Sequence, residues 1–257
     1  MFRFWLQFHP LLILPALIFI FAVSGGIIHW LQCRSPLRGR LVNGSLGLPT
    51  YVAVSTLFAL FAAFLLADTM ARKDRAAEAV QTEAAALLGL AVGSETAGEG
   101  GDAIRAAIRA YAGSVIADEW TRMIDESDSE RTAQRLLELM RAVHDAPARS
   151  DISATVHGHM LALSQKIVDA RADRIATVTF HFQSFSWSAL FLLGFLTQFI
   201  LGMGFLDRPA SNRSVIVIFS LAAVVALWLI AIQDNPFRGP ARISPAAFEA
   251  VAASGSE

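Results

Sequence analysis

Four stretches of this chain carry no Asp, Glu, Lys or Arg: residues 4–33, 41–67, 175–206 and 214–233, which run 30, 27, 32 and 20 residues. A helix needs roughly 20 apolar residues to cross a hydrocarbon core about 30 Å thick, and all four stretches meet that length. Backbone N–H and C=O groups in lipid have no water to bind, so a spanning run must satisfy them internally, as a helix does. All 21 basic and 22 acidic residues fall in the other segments. This distribution excludes a single soluble domain, a secreted disulfide scaffold and a disordered chain.

Charged residues make up 17% of the 257, against roughly 25% in soluble chains. The net charge of −1 offers no basic face for nucleic acid, which is not expected as a partner. The single cysteine, Cys33, can form neither an internal disulfide nor a cysteine-based metal site. It reads as a packing residue at the end of the first span, with acylation the open alternative. A cleavable signal peptide has an apolar core of about 7–15 residues. Here the uncharged run passes the small residues Ser24-Gly25-Gly26 and continues through Ile27, Ile28, Trp30 and Leu31. A retained spanning helix is expected.

The chain then reads as all-α, an integral membrane protein of four spanning helices at 11–31, 50–70, 187–206 and 214–233, with a helical domain inserted between the second and third. Its divisions are 1–71 for the first two spans, 72–184 for the insert, 185–235 for the last two spans and 236–257 for a tail. Within the insert, Gly93–Gly101 is expected to break an alanine-rich helix, Asp102 to cap the next, and Ser150 or Asp151 to cap the last. Ile104, Ile108, Tyr111 and Val115 recur at helical spacing. Four spans put both termini, the insert and the tail on one side, which carries nine basic residues near span ends (Arg3, Arg72 and Arg238 among them). The other carries five: Arg34, Arg38, Arg40, Arg208 and Arg213. The excess places the first side in the cytoplasm, so both termini are expected there, in a multi-pass protein of a bacterial inner membrane.

Several constellations carry two readings each. Asp68, near the end of the second span, is a candidate intramembrane acid or an interfacial one paired with Arg72 one turn on. Gln198, mid-span in the third helix, either hydrogen-bonds between helices or lines a pore. Val54, Phe58, Phe61 and Leu65 share one stripe of the second span, at i, i+4, i+7 and i+11. They face lipid or form apolar rings that gate a pore by dewetting. Acids at Asp118, Glu119, Asp125, Glu126, Asp128 and Glu130 suggest a solvated loop or a calcium site, but the EF-hand spacing is absent and Arg122 interrupts them. His157 and His159 face different ways on a helix, and His144 and His181 have no ligand-spaced neighbour, so no metal is expected. No P-loop, GxGxxG, GxSxG or HExxH motif occurs. An enzyme is not expected, nor a cofactor.

After the fourth span the chain reads Asp234-Asn235-Pro236-Phe237-Arg238-Gly239, then Arg242-Ile243-Ser244-Pro245. With Asp74–Leu87, Tyr111…Glu119-Trp120…Met123, Arg171-x-x-Arg174 and Trp187, this order resembles the bacterial bestrophin-like proteins, distant relations of the bestrophin chloride channels, over roughly residues 40–248. Asp234, Pro236, Phe237 and Gly239 mark the motif after the last span. Met70 and Thr121 depart from the family pattern, and no acidic motif follows the fourth span to match a calcium clasp. The resemblance implies a homo-oligomer, a pentamer as in bestrophins, that passes an inorganic ion through a lipid bilayer. It implies passive anion (chloride-type) permeation, with an apolar neck carried loosely onto Val54, Phe58 and Phe61 of the second span. The alternative is a non-conducting adaptor or sensor whose cytoplasmic helices bind a protein partner.

The charge asymmetry generates a topology test. In a Cys33-free background, a cysteine in Asn43-Gly44-Ser45 should react with an impermeant thiol reagent from the periplasmic side, and one at Gly98 should not. The reverse labelling pattern overturns the orientation.

Overall fold

The computed structural model describes residues 10–36, 48–95, 97–149, 152–179, 183–239 and 242–254. The expected basic residues Arg38 and Arg40, the Ser150 or Asp151 cap and His181 lie outside them. Among the described residues the chain is helical throughout and contains no strand. The helices are α1 (Pro10–Cys33), α2 (Leu48–Glu95), α3 (Gly98–Ser114), a π-helical turn (Val115–Glu119), α4 (Trp120–Ile124), α5 (Glu130–Arg149), α6 (Ala154–Thr179), α7 (Gln183–Met203), α8 (Pro209–Ala231) and α9 (Ala246–Ala253). Four are long and apolar enough to cross a membrane: Leu12–Cys33, Pro49–Glu95, Phe185–Met203 and Pro209–Ala231. The protein is a four-span integral membrane protein.

The chain divides into two compact units: Met1–Met70 with His181–Asp234, and Ala71–Phe180 with Asn235–Glu257. The segment set apart by sequence as a tail is thus part of the second unit. α2 belongs to both. At 48 residues and 1.5 Å per residue it is about 72 Å long, more than twice the ~30 Å hydrocarbon core.

In the first unit, α1, α2, α7 and α8 share an apolar core around Leu17, Phe21, Phe58, Trp187, Leu190 and Leu227. Pro209 opens α8 at its first turn, where a missing N–H costs nothing. Glycines let the helices approach closely. A Cβ on Gly25 would lie 2.9 Å from Ile216, and one on Gly194 would lie 3.2 Å from the Phe21 ring.

The second unit packs the distal half of α2 with α3, α5, α6 and the C-terminal segment around Leu87, Leu90, Ile104, Tyr111, Met123 and Leu139. Its first hairpin differs from the sequence reading. α2 persists to Glu95 and α3 starts at Gly98, so Asp102 does not cap α3 but lies in its second turn, paired with Arg105. The Ser94 carbonyl at the end of α2 accepts bonds from the Ala97 N–H (3.1 Å) and Arg105 Nη1 (3.2 Å). These supply partners that a helix C-terminus otherwise lacks. α3 passes so close that a Cβ on Gly101 would lie 2.0 Å from the Ser94 oxygen. At the start of α6 the cap is Ser153, whose Oγ accepts the Val156 N–H at 3.3 Å.

The fourth span ends two residues before 233, the boundary read from the sequence. α8 stops at Ala231, ahead of Pro236, and its last turn closes through the Ile232 N–H to the Trp228 carbonyl at 3.0 Å. The turn that follows is built by Asn235. Its Oδ1 accepts the Phe237 N–H at 2.9 Å, and its Nδ2 donates to the carbonyls of Met123 (3.2 Å) and Ile124 (3.3 Å). Gly239 sits at φ 88°, a left-handed conformation that glycine adopts without strain. The Ile243 N–H then bonds to the Pro236 carbonyl at 2.9 Å.

The α2–α3 hairpin makes a stability prediction. Gly101→Ala must displace backbone rather than a flexible side chain, and overpacking of this kind costs about 1–3 kcal/mol. Thermal unfolding of the detergent-solubilised protein should show a lower midpoint for Gly101→Ala and none of that loss for Gly113→Ala, whose Cβ would meet nothing within 4 Å.

Candidate functional site in the spanning helices and the buried charge cluster

The stripe singled out on the second span does not form an open face of the protomer. Phe58 (6% exposed) and Leu65 (8%) are buried in the first unit, and Val54 and Phe61 are half-buried. The Phe58 ring meets Phe219 of α8 edge-on, with centroids 5.3 Å apart. Asp68 is exposed. The open side of the same helix is Leu57 (54% exposed), Leu60 (49%) and Phe64 (65%), at i, i+3 and i+7, and Asp68 continues that line at i+11. Periodicity locates a stripe but not the neighbour it meets, which is why a phenylalanine seam between helices and a pore lining look alike in sequence.

Two polar networks join the other three spans. Gln198 of α7 donates to Ser220 Oγ of α8 (2.7 Å) and to the Phe21 carbonyl of α1 (3.2 Å), and accepts from Ser24 Oγ of α1 (2.8 Å). Of its two sequence readings, the interhelical one fits. Sequence reasoning missed the second network. Asn212 donates from Nδ2 to Gln32 Oε1 (2.9 Å) and to the Gly202 carbonyl (2.7 Å), while Gln32 Nε2 donates to the Phe199 carbonyl (2.6 Å). With both Asn212 N–H groups used, its Oδ1 accepts, and this assigns the proton to Nδ1 of His29 at 2.7 Å. A signal for it exists in the chain: Gln32 and Asn212 are amide side chains at the ends of apolar runs, and lipid offers such groups no partner but another helix.

The second unit gathers most of the residues quoted for the family resemblance. Arg174 of α6 is fully buried. It donates from Nε to Glu83 Oε2 of α2 (2.8 Å), from Nη2 to Glu83 Oε1 (3.1 Å) and to Glu119 Oε2 (2.8 Å). Its Nη1 points to the Met123 sulfur at 3.1 Å, and its guanidinium carbon lies 5.5 Å from the centroid of Phe248. Arg171, one turn earlier, bonds Glu119 through Nη2 (2.5 Å) and the Ser129 carbonyl (3.2 Å). Tyr111 donates its hydroxyl to Glu83 Oε1 at 2.5 Å. Two arginines and two glutamates balance within the cluster, and removing one partner of such a buried pair costs about 3–5 kcal/mol.

The π-turn explains how one chain segment supplies both Tyr111 and Glu119. At 100° per residue, eight α-helical steps would leave them about 80° apart; one inserted residue reduces this to about 20°. Both therefore point into the core. Glu119 accordingly does not belong with the solvated acids among which sequence placed it. Asp118, next to it, stays at the surface with Ser129 and Arg122 as partners. The Ser129 hydroxyl and then the Arg122 guanidinium hold its carboxyl below the usual range. Among the described residues, no three His, Cys, Asp or Glu are grouped to hold a metal ion. The C-terminal segment completes the cluster: Phe237 and Phe248 are buried and meet the Trp120 ring edge-on, at centroid distances of 5.2 and 5.9 Å. Of the motif after the fourth span, Pro236 and Phe237 are buried, while Asp234 and Gly239 are half-buried.

Four spanning helices interrupted by a helical unit with a neutral, fully paired charge cluster define a multi-pass membrane protein class. The family model for the bestrophin-like domain matches residues 19–248, and the chain belongs to the bestrophin-like family. Crystal structures share the fold. One variant of a bacterial bestrophin homolog from Klebsiella pneumoniae is 13% identical with a TM-score of 0.74, over 93% of this chain and 95% of that one. A second variant of it is 13% identical with a TM-score of 0.71, over 95% and 99%. A structure described as a membrane protein is 15% identical with a TM-score of 0.71, over 91% and 95%. No curated protein matches significantly.

Burial, and then the Glu83 carboxylate, push the Tyr111 hydroxyl well above its ordinary value of 10.0. A raised tyrosine pKa keeps its stabilising contribution below the unfolded value and loses it as pH rises through the folded one. In a Tyr51→Phe background, which leaves Tyr111 as the sole tyrosine, ultraviolet titration should show no phenolate at pH 10 while the protein stays folded. Ionisation should coincide with alkaline unfolding. A reversible, ordinary titration near pH 10 in folded protein would show that the hydroxyl is not held by Glu83.

Proposed function

We propose that the chain is a subunit of a homo-oligomeric ion channel whose pore is lined by α2. The observation that carries this reading is the spanning half of α2. It packs on its own protomer along one stripe and leaves Leu57, Leu60 and Phe64 exposed on the other side. Membership in the bestrophin-like family supports an ion as the permeant species and copies of the same chain as the neighbours. In this reading Phe58 and Leu65, expected from the sequence to line the neck, brace α2 from behind. Val54 and Phe61 flank the seam, and Leu57, Leu60 and Phe64 form the apolar constriction. An ion crossing such rings gives up hydration with no charge in return, so the rings limit its flux.

The family resemblance favours an anion, with the bilayer of a bacterial inner membrane as the setting and a pentamer as the assembly. One observation favours a cation: Asp68 is exposed on the same side as Leu57, Leu60 and Phe64, and a ring of carboxylates attracts positive charge. The sign is a measurable difference between the two readings.

Bilayer recordings of the purified protein test all of this. Leu60→Ala and Phe64→Ala should raise conductance or weaken gating, whereas Phe58→Ala should lower thermal stability first. A shift of the reversal potential toward the anion value in Asp68→Asn, under a salt gradient, would support the cation reading. Currents from Leu60→Ala and Phe64→Ala equal to wild type would remove the open face of α2 from the pore. A silent wild-type protein, folded and oligomeric, would favour a non-conducting adaptor.

A further inference from the structure

Pro147 lies inside α5, and proline has no N–H. In an α-helix that N–H is the donor to the carbonyl four residues back, which here belongs to Val143. A donor reaches this carbonyl from another helix instead: His157 of α6 places Nε2 3.1 Å from it. A carbonyl oxygen only accepts, so the ring proton that makes this bond sits on Nε2. Val143 is fully buried and His157 half-buried. A buried carbonyl left without a donor costs about as much as a lost hydrogen bond, which gives the imidazole a defined task.

The start of α6 aims the ring. Ser153 Oγ caps the helix at Val156, and the His157 N–H bonds the Ser153 carbonyl at 3.0 Å, which sets His157 on the first turn. A second directional bond joins the same two helices at their other ends. Arg171 of α6 donates from Nη2 to the Ser129 carbonyl at 3.2 Å, and Ser129 Oγ caps α5 by accepting the Thr132 N–H at 3.0 Å. Val143 lies 14 positions after Ser129, and His157 lies 14 positions before Arg171. That spacing is nearly four turns, or about 21 Å, so both ties fall on one face of each helix. The equal spacing on two antiparallel helices means that the two bonds specify the same register.

We infer that His157 is a positioning residue: it supplies the donor that Pro147 lacks and pins the register of α5 against α6, which delivers Arg171 to Ser129 and Glu119. Leu139 and Val143 of α5 and Met160 and Ile167 of α6 share the apolar core of the second unit. Apolar burial is non-directional, so it holds two helices together without choosing between neighbouring registers. A slide of α6 by one turn takes the imidazole from the Val143 carbonyl and carries Arg171 away from its own acceptors. The role belongs to the second unit alone and does not depend on whether the protein conducts.

A double-mutant cycle on the full chain in detergent tests the donor. His157→Ala should lower the thermal midpoint, and His157→Gln, which keeps a side-chain N–H, should recover part of the loss. Pro147→Ala returns a backbone N–H to the Val143 carbonyl, so His157→Ala should cost less than half as much in that background. An equal loss in both backgrounds would reduce His157 to packing and overturn the inference. Spin labels test the register. In a Cys33→Ser background, Leu137→Cys on α5 and Gln165→Cys on α6 are both exposed positions, and dilution with unlabelled subunits restricts the reading to one protomer. His157→Ala should shift or broaden this distance with either residue at 147, because Pro147→Ala repairs the carbonyl but not the tie between helices. An unchanged distribution in the folded variants overturns the inference. If His157→Ala does not fold, the wild type decides: ring-nitrogen NMR shifts at about pH 8.5, where an ordinary histidine is neutral, should show His157, assigned by its loss in His157→Gln, with its proton on Nε2. A proton on Nδ1 would mean that no bond to Val143 exists.

Discussion

A guanidinium taken wholly out of water must be given charge and hydrogen-bond acceptors by the protein, and Arg174 imposes that demand on the second unit. Burial works against its charged form, but Glu83, followed by Tyr111 and Glu119, raises its proton affinity above the ordinary value. Each partner comes from a different part of the chain: Glu83 from α2, Glu119 from the π-turn, and the aromatic lid of Phe248 from α9. Meeting the demand therefore fixes the register of α2 against α6, the extra residue in the π-turn and the path of the C-terminal segment together. The cluster contributes little net stability relative to an apolar core of the same shape. What it contributes is a single allowed arrangement, because any other leaves a charge buried without its partner.

The first unit solves a different problem. Its surroundings supply no hydrophobic drive between helices, so close approach and hydrogen bonds must hold them. Glycines at 25, 194 and 202 bring α1, α7 and α8 together, and the amides of Gln32, Gln198 and Asn212 bond across the contacts they create. At Gly202 the fit is close enough that a Cβ would lie 2.1 Å from the Gln32 amide oxygen. α2 contributes no such amide, and its packed stripe is phenylalanine, alanine and leucine.

The spans and the all-helical character are legible in the amino-acid sequence alone. A charge-free run of 20 or more residues has only one stable form in lipid, so length and composition suffice. The hairpin between α2 and α3 is legible only to within a few residues. Three glycines in Gly98–Gly101 look like a break, yet Gly101 is there so that one backbone can pass another. Glu119 escapes a sequence reading for a related reason: a count of clustered acids treats every carboxylate as solvent-facing, and a π-turn leaves no mark in the pattern of residue types.

The sequence by itself determined four spanning helices, a helical insert and the residues of the family pattern, because these follow from local composition and order. Only the tertiary structure decided that Tyr111, Glu119, Met123, Arg171, Arg174 and Phe237 meet at one point, and that Glu83 joins them. It also decided that Phe58 faces its own protomer while Phe64 does not. Both facts depend on which face of a helix meets which neighbour. A rotation of about 100° per residue makes adjacent positions point to different surroundings, and nothing local to the chain records which of those surroundings is another helix.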